Sequence, residues 1–68
     1  MKFLVKWFDL DEVVDSATIS YFHAVRLLRY EGVEESTASL FFDTATEGCS
    51  LRIITSDGYV LTLEKVEG

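Results

Sequence analysis

The sequence predicts an α+β fold, a β-α-β-β-β two-layer sandwich in which one long helix packs on one face of a four-stranded sheet. Three observations point there: residues Lys2 to Phe8 alternate between two sides and are rich in strand formers, an apolar stripe at spacings of three and four runs from Leu10 to Leu28, and three further alternating runs follow Gly32. With 68 residues, no proline and four glycines, the chain has room for one core and no linker. Residues 1–68 are therefore expected to form one domain.

The first run sets Phe3, Val5 and Trp7 on one side and Lys2, Leu4, Lys6 and Phe8 on the other, in residues that favour strands. Asp9 then reads as a helix N-cap, with Asp11 and Glu12 in the first turn where carboxylates complement the helix dipole. Leu10, Val13, Val14, Ala17, Tyr21, Ala24, Val25 and Leu28 make the stripe, and one helix of about 21 residues, roughly 30 Å long, accommodates all of them. Arg26 and Arg29 fit its last turns, and Gly32 fits the left-handed position that ends it. Asp15, Ser16, Thr18 and Ser20 are weak helix formers and allow a break into two short helices, although the phase of the stripe favours continuity.

The remaining runs, Thr37 to Thr44, Cys49 to Thr55 and Tyr59 to Val66, read as a meander. A two-residue Asp57-Gly58 turn would set Ile53 against Thr62, whereas a three-residue loop with Gly58 at the bulge position pairs Ile53 with Leu61 and Leu51 with Leu63. The second register keeps apolar residues on one face and is preferred. A loop Ala45-Thr46-Glu47-Gly48 similarly sets Phe42 against Leu51 and Leu40 against Ile53. The expected inner face is Phe3, Val5, Trp7, Ala38, Leu40, Phe42, Cys49, Leu51, Ile53, Tyr59, Leu61 and Leu63. The first two strands should be parallel, joined by a right-handed crossover, with strand order open.

The count of large apolar residues exceeds what this core needs. Ile19, Phe22 and Tyr30 on the helix and Leu4, Phe8, Phe41, Ile54 and Val60 on the strands fall where periodicity predicts water, which argues for an adhesive surface. Twelve Asp and Glu against six Lys and Arg give a net charge of −6, unfavourable for gripping phosphate backbones and favourable for a basic protein surface. One cysteine excludes an internal disulfide, and no Cys/His cluster suggests zinc, so oligomerisation is the remaining means of reinforcing so small a core. No apolar run reaches the length of a membrane span and the amino-terminal residues do not resemble a signal peptide, so a cytoplasmic location is expected.

Catalytic patterns are weak throughout. His23 stands near Ser20 without a nucleophile elbow or an orienting acid, and reads as a surface or contact residue. Asp9, Asp11, Glu12 and Asp15 lack the glycine turn and spacing of a calcium loop, while Glu31, Glu34 and Glu35 read as a solvated turn. Cys49 is expected to be a buried apolar thiol. No enzyme activity, metal or cofactor is expected.

The reading that remains is a non-enzymatic protein-binding domain, an inhibitor or adaptor that occupies a basic, nucleic-acid-handling surface of another protein. Small acidic phage proteins directed against host defences offer an analogy of size and charge alone. Interface candidates on the helix are Ile19, Phe22, His23, Arg26, Arg29 and Tyr30, and on the sheet Phe8, Phe41, Arg52, Ile54 and Val60. Two alternatives use the open sheet face: single-stranded nucleic acid stacked on Phe41 and Phe8 beside Arg52, opposed by the net charge, and closure against a second copy in a homodimer.

Overall fold

In the computed structural model, which describes residues 1–67, the element order is β-β-α-α-β-β. The strands are β1 (Lys2–Asp9), β2 (Glu12–Ser20), β3 (Ser50–Ile54) and β4 (Val60–Glu67), and the helices are α1 (Tyr21–Tyr30) and α2 (Glu35–Thr44). The sheet order is β2-β1-β4-β3 and every neighbouring pair is antiparallel. An α+β chain with a four-stranded sheet matches the expectation. The single long helix, the β-α-β-β-β order and the parallel first pair do not.

The first correction falls on Leu10 to Ser20. This segment is not the first half of a helix: Asp9 pairs with Glu12 across a tight turn, and β2 runs back along β1 from there to Ser20. A bulge explains the false helical period. Trp7 lies opposite Asp15 and Phe8 opposite Val13, which leaves Val14 as an extra residue in β2. Two valines therefore sit side by side where a regular strand would alternate, and Leu10, Val13, Val14 and Ala17 imitate a stripe at i, i+3, i+4 and i+7. All four are exposed. The β-branched Val13, Val14, Thr18 and Ile19 suit the strand they form.

The helix begins eleven residues later than predicted, and its N-cap is Ser20, whose Oγ accepts from the His23 backbone N–H at 3.3 Å. Ala24 and Leu28, one turn apart, are its buried residues. Its end is as expected: Gly32 takes φ +80°, its N–H donates to the Arg29 carbonyl, and Val33 N–H donates to the Leu28 carbonyl. That pair of bonds satisfies two of the last carbonyls in the glycine-ended arrangement and turns Val33 back onto the core.

The second correction is the run Thr37 to Thr44, which is helical rather than a strand. Its alternation placed Leu40 inside and Phe41 outside, but a helix groups Ala38, Phe41 and Phe42 at i, i+3 and i+4. These three pack on the core, while Leu40 is 64% exposed. Phe42 meets Phe3 edge-on at 5.4 Å between centroids and Tyr21 at 5.1 Å, and Phe41 lies 6.1 Å from Phe3. Contacts of this kind stabilise by about 0.5–1.5 kcal/mol each beyond the area they bury. The expected Ala45–Gly48 hairpin disappears with the strand, and that segment is instead held to β4 by Lys65 Nζ, which donates to the Ala45 carbonyl at 3.3 Å.

The β3–β4 hairpin agrees with the sequence reading. Leu51 pairs with Leu63 and Ile53 with Leu61, while Gly58 has φ +88° in the loop closed by Thr55 and Tyr59. The core comprises Phe3, Val5, Ala24, Leu28, Leu61 and Leu63, with Trp7, Leu51 and Ile53 partly buried around it. Cys49 and Tyr59, expected inside, are exposed. Both helices cover this inner face, and the opposite face of the sheet carries no helix. No helix among the described residues is long and apolar enough to cross a membrane.

Candidate functional site

The β1–β2 hairpin concentrates both unpaired apolar surface and charge. Its two loop residues are Leu10 and Asp11, following from the Asp9–Glu12 pair. Leu10 has φ +56° and is 90% exposed. For a leucine the left-handed conformation costs roughly 1–2 kcal/mol, and turns that require positive φ ordinarily use glycine or asparagine. A strained residue that buries nothing in its own fold directs attention to what its side chain meets outside. Val13 and Val14, also exposed, follow it in the hairpin, which carries the exposed acidic residues Asp9, Asp11, Glu12 and Asp15.

The alternation of β1 turns Phe8 onto the open sheet face, next to Val60 in the β1–β4 register, with Arg52 opposite Thr62 one strand further on. Phe8, Val60, Thr62 and Arg52, closed at one end by Leu10 and Asp11, line a depression of about 260 Å³. Pockets for small molecules begin near 300 Å³ and bury most of their ligand. This one has the dimensions for a partner's side chain. Three sheet-face candidates, Phe8, Arg52 and Val60, are thus brought together, with Ile54 exposed beside them on β3. Phe8 and Val60 are half-buried rather than fully exposed. Phe41 does not join them: it belongs to α2 on the inner face, where it packs on Phe3, not beside Arg52.

The helix-face candidates separate. Ile19 belongs to β2, not to a helix, and packs against the core from the inner side. Phe22 and Tyr30 are 76% and 84% exposed at opposite ends of α1, with His23 and Arg26 exposed between them. Arg29 instead lines a groove between α1 and α2 in company with Glu35 and Asp43. His23 Nδ1 lies 3.3 Å from Ser20 Oγ, but the same hydroxyl caps α1, so this contact serves the helix start. Cys49 Sγ lies 3.3 Å from Thr46 Oγ1, and that hydroxyl, followed by a backbone hydrogen bond from Thr46, holds the exposed thiol below its ordinary range. Among the described residues no three His, Cys, Asp or Glu side chains lie together as a metal site.

Sequence reasoning had assigned Leu10, Val13 and Val14 to the core and so missed the hairpin tip. The available signal was composition: four β-branched residues between Glu12 and Ser20, preceded by Asp9-Leu10-Asp11, describe a turn and strand as well as a capped helix. Compared with protein-family models, curated proteins and solved structures, the chain matches none.

Proposed function

We propose that this chain is a non-enzymatic protein-binding domain, an inhibitor or adaptor that seats its β1–β2 hairpin on a basic surface of another protein. The observation that carries the reading is Leu10, strained and exposed at the tip of a hairpin bearing four carboxylates. An exposed leucine followed by Val13 and Val14 supplies an apolar centre, and the acids of the same hairpin supply steering and charge. A partner surface rich in Lys and Arg, such as one that handles nucleic acid, complements it. Direct binding of single strands is less well supported, because Phe41 has left the open sheet face and Phe8 is its one aromatic among the described residues.

The test is capture from nuclease-treated host lysate by the tagged chain, alongside Leu10→Gly, a double variant Asp11→Lys/Glu12→Lys, and Phe22→Asp. The expected result is a protein with a basic surface whose retention falls at least about tenfold with either hairpin variant and persists with Phe22→Asp. Hairpin variants that capture the same protein as well as the original chain does would overturn the assignment.

A further inference from the structure

We propose that β2 pairs along its open edge with β2 of a second copy of this chain, antiparallel about a two-fold axis, joining two four-stranded sheets into one. The inference is independent of what the hairpin tip binds. β2 is at the end of the sheet and is the longest strand, nine residues, every one exposed except Ile19. Alternate residues of an edge strand aim their N–H and C=O groups outward, where another strand can take them.

Edges that must stay single are guarded by charged side chains, lysine above all, by proline, by a cover or by a bulge. β2 contains neither lysine nor proline, and its two charged residues, Glu12 and Asp15, lie in its amino-terminal half. Its bulge lies at the Val13–Val14 end, so Asp15 to Ser20 run in unbroken register and present a regular edge.

The charge pattern selects a second copy as the occupant. An axis through Ser16 sets Asp15 opposite Ala17 of the other copy. An axis through Ala17 sets Asp15 opposite Ile19 and Ser16 opposite Thr18. Neither places two carboxylates face to face, the arrangement that destabilises cross-strand pairs. Antiparallel pairing instead sends the acidic end of each β2 toward the other copy's Ser20, beside which Lys2 stands in β1. The opposite edge is shorter: β3 has five residues against nine in β2, and a two-fold axis at its middle, Arg52, would set arginine against arginine. A core of six buried apolar residues is small, and pairing at β2 supplies reinforcement to a chain whose single cysteine makes no internal disulfide and whose described residues gather no metal site.

The test is sedimentation equilibrium of the full chain and of Ser16→Glu/Thr18→Glu. Both positions are exposed on the open face, and Ser16 is opposite Lys6, so the double variant is expected to keep the fold by circular dichroism. In either register it sets like charges opposite each other across the axis, and dimerisation should weaken by at least about tenfold. Independently, Ser16→Cys or Ala17→Cys in a Cys49→Ser background, treated with oxidised glutathione, should give a cross-linked dimer at whichever residue lies on the axis. A chain that stays monomeric at about 1 mM, a dimer unaffected by the double variant, or a dimer with no cross-link at either cysteine would overturn the proposal.

Discussion

Replacing Leu10 with glycine should make the protein more stable while removing its most exposed apolar side chain. The left-handed backbone at φ +56° costs a leucine roughly 1–2 kcal/mol and a glycine almost nothing. Against this, glycine gives the unfolded chain more freedom, at about 0.4–1 kcal/mol. The burial lost is small, because a leucine that is 90% exposed forfeits only about a tenth of the 2–3 kcal/mol that full burial would supply. The net is a gain of about 0.5 kcal/mol, which for a domain of this size raises Tm by roughly 2–4 °C. Thermal unfolding followed by circular dichroism would measure it, with Leu10→Ala as the control that removes the side chain but retains the strained backbone. If Leu10→Gly melts below Leu10→Ala, the turn does not store the strain argued here, and the case for an outward-directed role of Leu10 loses its physical basis.

Two further perturbations separate the core from the surface. Phe22→Asp should change stability by less than about 0.5 kcal/mol, whereas Phe41→Asp, which brings a carboxylate against Phe3 and Phe42, should cost at least about 3 kcal/mol; urea unfolding distinguishes them, and equal midpoints would contradict the packing of α2. Thr46→Val should raise the pH midpoint of Cys49 alkylation by iodoacetamide and slow the reaction near neutrality, since the lost hydroxyl bond favours the thiolate; an unchanged midpoint would remove Thr46 as the cause.

What the sequence disclosed, and what it hid, follows from which rule governs each segment. The β3–β4 hairpin was legible because Leu51, Ile53, Leu61 and Leu63 agree with the loop chemistry of Gly58 in a single register. The end of α1 was legible because Gly32 has one favourable use there. Between Leu10 and Ser20 a bulge shifted the period from two toward 3.6, and Asp9 was equally suited to a cap and to a turn. In Thr37 to Thr44 strict alternation and a helical i, i+3, i+4 grouping share Ala38 and Phe42, so only tertiary packing decides between Leu40 and Phe41. Of the interface candidates, Phe8, Arg52 and Val60 converged on one depression because they lie on strands whose faces were read correctly. Leu10 was hidden because strain cannot be seen in composition.

The pairing of β1 with β4 at the centre of the sheet bears on how the chain reaches this structure. Each hairpin is local and forms on the microsecond scale, but setting Phe3 opposite Lys65 closes a loop of about 60 residues, at an entropic cost of roughly 3–4 kcal/mol. The core residues Phe3, Val5, Leu61 and Leu63 meet only in that step. Pairing between segments so far apart raises contact order, and by the general trend the docking of the two hairpins is expected to be slower than the formation of either helix. Until it occurs, the inner edge of β1 remains as open to a stray strand as the outer edge of β2.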